Sequence, residues 1–105
     1  MFQLRIYTLR SSEALDRYAA IHWARHIASL EAFGVETRGI WTSRDGGESR
    51  LFALVSYENG ADPASVETEY MASSAFAEDM VSFDRHDIVG VTSVMLDATA
   101  SSPIR

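Results

Sequence analysis

A long amphipathic segment, residues 12–33, constrains the fold of this chain more than any other stretch. Ser11 or Ser12 can cap its N-terminus, and Gly34 follows it in the way that glycine commonly ends a helix. We therefore predict one long helix that packs one face against a sheet and carries two histidines in the middle of that face. At the helical repeat, the residues that share this face are Leu15, Ala19, His22, His26, Leu30 and Phe33.

Strand patterns stand on both sides of this helix. Residues 2–9 alternate between apolar and polar side chains, with the period of a half-buried strand. Residues 35–43 and 50–57 form two further extended runs, and the turn-forming residues 44–48 between them predict a hairpin. The third strand is almost continuously apolar, which favours an interior position in the sheet with both faces covered. Gly39, two residues before Trp41, indicates either a bulge or a close approach of the backbone to a neighbour.

The second half of the chain repeats the helix-then-strand pattern. Asp62-Pro63 is a typical helix start, and Ser73-Ser74 predicts a break. A further helical piece, residues 75–83, places Phe76, Met80 and Phe83 on one face, and residues 87–96 form a last strand. The remaining residues, 97–105, show no periodicity.

The order β-α-β-β-α-β predicts an α+β, ferredoxin-like domain over residues 1–105, with a four-stranded antiparallel sheet and its helices on one face. The other face of such a sheet stays open unless something packs on it. Val55, Val91, Val94 and Met95 contribute more apolar surface than two helices can cover, and we therefore predict that a second copy covers the open face.

Composition excludes several classes of function. The net charge of −6 disfavours nucleic acids and anionic membranes as partners. No apolar run is long enough to cross a membrane and no targeting signal is evident, so we expect a cytoplasmic protein. The chain has no cysteine and no lysine, which removes thiolate and Schiff-base chemistry. We predict no cofactor.

His22 and His26 are the candidate catalytic residues, because their spacing lets both imidazoles reach one neighbour. The zinc-protease pattern needs a glutamate where this chain has Trp23, so we predict no metal site. Two interpretations remain open. In the first, both rings are hydrogen-bonded core groups. In the second, both border a cavity between the long helix and the sheet that accepts a small, mostly apolar ligand.

Aromatic residues with polar atoms suit the wall of such a cavity, and we add Tyr7 and Trp41 to the histidines as predicted ligand-binding residues. Core or interface packing is the ordinary alternative for aromatic residues on strands. Arg5 and Arg38 could neutralise a carboxylate on a ligand, although pairing with Glu36 or Glu58 at a solvated sheet edge is the more usual arrangement.

Several short segments in the correct order make the chain resemble the NIPSNAP family of the dimeric α/β-barrel superfamily. Residues 4–9 (LRIYTL) resemble the opening strand of the family, residues 39–42 (GIWT) its second strand, Tyr57-Glu58 the end of its third strand, and residues 102–104 (SPI) its terminal motif. Two departures are conservative, since Val55 and Phe76 stand where family members usually or often have tryptophan.

The resemblance implies a ferredoxin-like protomer that forms a homodimer, or a higher oligomer, by pairing sheets into a barrel. In related proteins the ligand space lies between helix and sheet. Two functions follow as expectations: a protein that binds a small apolar or aromatic ligand, or a cofactor-independent enzyme of the monooxygenase or cyclase kind that uses His22 or His26 as its acid–base group.

Overall fold

The computed structural model describes all residues from 1 to 105. Its four strands form one antiparallel sheet in the spatial order β2-β3-β1-β4. This order, with two helical crossovers around a central hairpin, confirms the predicted ferredoxin-like α+β fold. The elements are β1 (Phe2–Leu9), α1 (Ser12–Arg17), a π-helical turn (Tyr18–His22), α2 (Trp23–Glu31), β2 (Val35–Ser43), β3 (Ser49–Tyr57), α3 (Pro63–Met71), α4 (Ser74–Asp79) and β4 (Ile88–Leu96).

The predicted long helix exists, but it is not uniform. α1, the π-helical turn and α2 follow one another with helical backbone angles at both junctions, and we call them together the long helix. Ser11 caps it, since its Oγ accepts a hydrogen bond of 3.0 Å from the amide of Ala14. Gly34 ends the turn after it with a positive φ of 77°, a conformation that glycine adopts without strain.

The π-helical turn changes which side chains face the sheet. It adds a residue to one turn and so rotates the buried face of α2 relative to that of α1. Tyr18 and Trp23 are consequently buried, at 3% and 1% exposure, whereas Ala19 is only partly buried. Ala19 still packs against the core, as the regular helical repeat predicted, but that repeat missed both aromatic residues because it assumes a constant number of residues per turn.

The sheet has two unlike faces. The covered face lies under the helices, and on β3 its residues Leu51, Ala53 and Val55 have no exposed surface. The open face carries the alternate residues of β3, Phe52 and Leu54, which are half-buried. β3 lies in the interior of the sheet, as predicted, and in the single chain only one of its faces is covered.

The prediction of surplus apolar surface needs one correction. Val55 is fully buried under the helices and needs no second chain to cover it. Val94 pairs with Leu4 on the open face and is 48% exposed. Val91 and Met95 point to the covered side, but β4 is an edge strand and both remain more than 40% exposed.

The predicted bulge in β2 is present. The register between β2 and β3 shifts between Thr37 and Gly39, so Arg38 has no direct partner there. The Trp41 ring lies against Gly39, where a β-carbon would collide with the indole. A larger residue at this position would therefore displace the Trp41 ring, and the backbone angle of Gly39 imposes no such restriction.

In the second half of the chain, the helical piece predicted for residues 75–83 is shorter than expected. α4 ends at Asp79, and Ser82 then adopts a positive φ of 70° that no helix allows. Phe76, Met80 and Phe83 nevertheless all pack against the core, as predicted. None of the helices has the length and apolar character that a membrane-spanning helix needs.

Candidate functional site

A cavity of about 160 Å³ lies between the covered face of the sheet and the helices. It opens between α3 and β4, where the exposed residues Met71 and Val91 are part of its wall. Most of its lining is apolar or aromatic, and the ionisable side chains other than tyrosine are Arg5, His26 and Glu67. A small, mostly apolar space with a few polar groups is typical of a small-molecule site.

Asp79, the last residue of α4, is the centre of a polar network beside this cavity. Its side chain is buried and accepts hydrogen bonds from the hydroxyls of Tyr70, at 2.7 Å, and Ser29, at 3.0 Å. His26 Nδ1 lies 3.1 Å from the same carboxylate oxygen that Tyr70 binds, and it also contacts the Tyr70 hydroxyl. The network joins α3 and α4 to the long helix.

The proton positions follow from this geometry. Tyr70 has one hydroxyl proton and donates it to Asp79, so the Tyr70 oxygen can only accept from His26. His26 Nδ1 must therefore carry a proton and donate it to Tyr70 and Asp79. Nε2, which makes no hydrogen bond within the chain, is then the unprotonated nitrogen of the neutral ring.

The pKa shifts agree with a neutral histidine beside an ionised aspartate. Burial lowers the pKa of His26 by more than the hydrogen bond and charge of Asp79 raise it. Burial raises the pKa of Asp79, but hydrogen bonds from Tyr70, Ser29 and His26 outweigh this and hold it below its ordinary value. Burial and the neighbouring Asp79 raise the pKa of Tyr70, which keeps its proton.

His22 has a different environment from His26. Its Nδ1 donates a hydrogen bond of 2.8 Å to the main-chain carbonyl of Asp79, which Arg25 also approaches at 3.4 Å. This carbonyl belongs to the last turn of α4 and has no partner further along that helix. His22 is 1% exposed and is not part of the cavity lining, so it corresponds to the hydrogen-bonded core interpretation. Both histidines do face one neighbour, as their spacing predicted, and that neighbour is Asp79.

Tyr7 and Trp41 lie on opposite faces of the sheet. Tyr7 is part of the cavity wall and packs edge-on against the rings of Tyr18 and Trp23. Trp41 is directly opposite Phe52, on the open face, and is 53% exposed. Because successive residues of a strand point to opposite faces, the bulge at Gly39 turns Trp41 away from the cavity.

Arg5 is buried, contrary to the expectation of a solvated edge residue. Its Nε donates to Gln3 Oε1 at 2.9 Å and its Nη2 donates to the Tyr57 hydroxyl at 2.8 Å. Tyr57 in turn donates to Gln3 Oε1 at 2.8 Å. Arg38 does pair with Glu36, at 3.7 Å, as the ordinary interpretation held.

Sequence reasoning missed Asp79 and Tyr70, although Asp79 could have been found. Residue 79 falls on the same helical face as Phe76 and Phe83, so a carboxylate there interrupts an apolar stripe. A charged residue on a buried face needs partners, and His26 with Tyr70 supplies them. For Tyr70 there was no such signal, because a tyrosine at an apolar position is ordinary core.

The arrangement can bind an apolar group against the aromatic wall and exchange a proton through His26 Nε2.

No group of three or more histidine, cysteine, aspartate or glutamate side chains is placed so that it could hold a metal ion. His86, the third histidine, lies in an exposed loop beside Asp84.

The family model described as NIPSNAP matches residues 2–103, almost the whole chain. The chain belongs to the NIPSNAP family. None of the curated proteins compared with it matches. The predicted family resemblance is thereby confirmed over residues 2–103.

Solved structures of family members have the same fold. A NIPSNAP family protein of unknown function from Agrobacterium tumefaciens is 17% identical, with a TM-score of 0.78, over 99% of this chain and 92% of that one. An uncharacterized NIPSNAP domain protein from Burkholderia xenovorans is 16% identical, with a TM-score of 0.75, over 97% of both chains. A NIPSNAP-like domain protein from the same organism is 24% identical, with a TM-score of 0.75, over 97% and 87%. At these identities the likeness shows the fold alone.

Proposed function

We propose that this NIPSNAP family protein binds a small, mostly apolar ligand in the cavity between the long helix and the sheet, against His26 and Tyr7. The observation that carries the proposal is the cavity itself, about 160 Å³ with a largely apolar wall that includes several aromatic rings and with an opening to solvent. An engineered apolar cavity of roughly 150 Å³ binds benzene. A ligand with one aromatic ring or a short hydrocarbon group therefore fits this space.

The two tryptophans offer a direct test, because Trp23 lines the cavity and Trp41 lies on the opposite face of the sheet. We would titrate the protein with benzamide, a neutral one-ring probe, and follow both indole N–H signals by NMR. Binding in the cavity shifts the Trp23 signal and leaves the Trp41 signal unchanged. If neither benzamide nor other one-ring probes shift Trp23 at millimolar concentration, the proposal is wrong.

His26→Gln and His22→Gln form a matched pair for this titration. Glutamine can keep one hydrogen bond at either position, so both variants should fold. Because only His26 is part of the cavity wall, His26→Gln should change the benzamide affinity several-fold and His22→Gln should not. Equal effects of the two variants would indicate that the histidines act on stability alone.

A second candidate function, a cofactor-independent enzyme, rests on the pairing of His26 with Asp79. A histidine that donates from Nδ1 to a carboxylate and has a free Nε2 at a cavity is arranged as a general base. The test is base-catalysed exchange of acidic C–H hydrogens of small aromatic ketones in D₂O. Exchange that exceeds the buffer rate and disappears in His26→Gln supports an enzyme, and its absence favours a binding protein.

We also propose that the chain is a homodimer in which two open faces pack together. Trp41, Val94 and Leu96 contribute exposed apolar surface to this face, at 53%, 48% and 39% exposure. The half-buried Phe52 and Leu54 continue the patch on β3. Exposed apolar surface of this kind is typical of an association site. A monomeric mass by light scattering at micromolar concentration would overturn the proposal.

The cytoplasm remains our proposed compartment.

A further inference from the structure

We propose that the ligand of the cavity is an anion, specifically a small aromatic or short-chain carboxylate, and that Arg5 binds its carboxylate. This inference deepens the proposed binding function and depends on it. It comes from the charge of Arg5 and the contacts that this side chain lacks.

Arg5 is a buried cation without a counter-ion. Its residue exposure is 5%, and no carboxylate of the chain lies within ion-pair distance of it. The two groups that it binds, Gln3 and Tyr57, are neutral. A guanidinium cannot lose its proton in a protein, so burial cannot be relieved by neutralisation. Buried charges are ordinarily paired, and here the chain itself supplies no partner.

The free hydrogen-bonding capacity of Arg5 is available to a ligand. Nε donates to Gln3 and Nη2 donates to Tyr57, whereas Nη1 makes neither of these hydrogen bonds and has the Tyr7 hydroxyl of the cavity wall as the further polar neighbour of the guanidinium. Nη1 is also not among the polar atoms that are sealed from solvent, and Arg5 is part of the cavity wall. Arg5 therefore has unused N–H donors at the wall, and a carboxylate is an acceptor whose two oxygens match the planar guanidinium.

The other ionisable groups at the cavity do not cancel this charge. Asp79 is engaged by Tyr70, Ser29 and His26, and His26 is neutral in the arrangement described above. Glu67 is half-buried on the cavity wall and forms no ion pair. Glu67 would repel an anionic ligand, so its removal should tighten binding, which gives a control of opposite sign.

The size of the cavity restricts the anion further. A space of about 160 Å³ accommodates one ring or a chain of similar volume, and the apolar wall favours a hydrocarbon body. Larger polar anions such as nucleotides do not fit this volume. A monocarboxylate with an apolar body satisfies the guanidinium and the wall together.

Benzoate and benzamide form the test pair, because they have nearly the same shape and differ in charge. We would titrate the full chain with each and follow the indole signals of Trp23 and Trp41 by NMR. Benzoate should bind at least tenfold more tightly than benzamide, as a charge-assisted hydrogen bond in a desolvated site implies. Benzamide binding as tightly as benzoate would overturn the inference and leave the cavity proposal standing. If neither probe shifts Trp23, both proposals fail.

Two variants assign the preference to Arg5. Arg5→Met keeps a long apolar side chain, and Tyr57 can still donate to Gln3 after the change. The benzoate affinity should fall at least tenfold, and the ratio of benzoate affinity to benzamide affinity should fall with it. Glu67→Gln should raise the ratio of benzoate affinity to benzamide affinity. An undiminished benzoate preference in Arg5→Met would contradict the assignment. If that variant does not fold, the wild-type preference and the Glu67→Gln result still decide the matter.

Discussion

The covered and open faces of the same sheet differ in where polar and apolar groups lie relative to solvent. Between the covered face and the helices, buried polar residues such as Arg5 of β1 and Asp79 of α4 lie among aromatic rings, and each is fixed by hydrogen bonds. On the open face, apolar residues such as Trp41 and Val94 remain in contact with solvent. Burying polar groups has a cost in stability, and exposing apolar groups has a cost in solubility. This difference underlies our two proposals, that a ligand binds at the covered face and that the open face associates with a second copy.

The largest effect should come from breaking the network on the covered face. Asp79→Ala leaves Tyr70 and Ser29 without their acceptor and His26 without its carboxylate. We expect the free energy of unfolding to fall by roughly 3 to 5 kcal/mol, as for loss of one partner from a buried charged network. Urea denaturation followed by circular dichroism measures this. Ser29→Ala, which removes one hydrogen bond at the edge of the network, should cost about 1 kcal/mol. Equal losses in the two variants would show that Asp79 is not the centre of the network.

A charge on the open face should act on association instead. Val94→Asp places a carboxylate in the proposed dimer interface and should weaken association at least a hundredfold, since a buried unpaired charge is strongly unfavourable there. Val81→Asp is the matched control, because Val81 is similarly exposed but lies beyond α4, away from the open face. Sedimentation equilibrium of both variants gives the dissociation constants. A dimer that survives Val94→Asp unchanged does not use this face.

Removal of the C-terminal tail should have a smaller effect on the same face. The tail lies beside the open face, because it lines a groove together with residues of β1, β3 and β4. The groove residues are Ala98, Thr99, Ser102 and Ile104 of the tail with Phe2, Leu54 and Leu96 of the strands. Truncation after Leu96 should weaken association about tenfold by removing part of the apolar contact. The same sedimentation measurement tests this, with Ile104→Ser as a milder change. Association as tight as that of the full chain would mean that the tail has no part in the dimer.

The smallest effect is a pH dependence that belongs to the covered face. The pKa of His26 is lowered in the folded state, so the unfolded chain binds more protons as the pH falls below the ordinary histidine value of 6.5. Stability is fully present above that value and decreases as the pH falls towards the folded pKa. Asp79, whose pKa is also lowered, adds a second loss as the pH falls below 3.8. Urea midpoints between pH 3 and 8 measure both steps, and His26→Gln should remove the first step only. An unchanged first step in His26→Gln would assign it to another group.

The sequence by itself determined the order of elements and the place of the two histidines. Alternation at period two in β1 and the helical repeat in residues 12–33 depend on which side chains are apolar, and that information is local. The turn at Gly34 and the bulge at Gly39 were predictable for the same reason, because glycine is favoured where the local backbone geometry disfavours a side chain. The family resemblance added the expected pairing of sheets, which remains a proposal.

Only the tertiary structure decided what the site contains. His26 lines a cavity and His22 does not, and this difference depends on the position of α4. That helix carries Asp79, which is 53 residues from His26 in the chain. The π-helical turn, which buries Tyr18 and Trp23, is likewise invisible to a repeat of fixed length. The burial of Arg5 without a counter-ion follows from long-range packing against Tyr57 and the cavity. A periodic pattern in the sequence predicts which face of the sheet a residue lies on, but not which partners it contacts there.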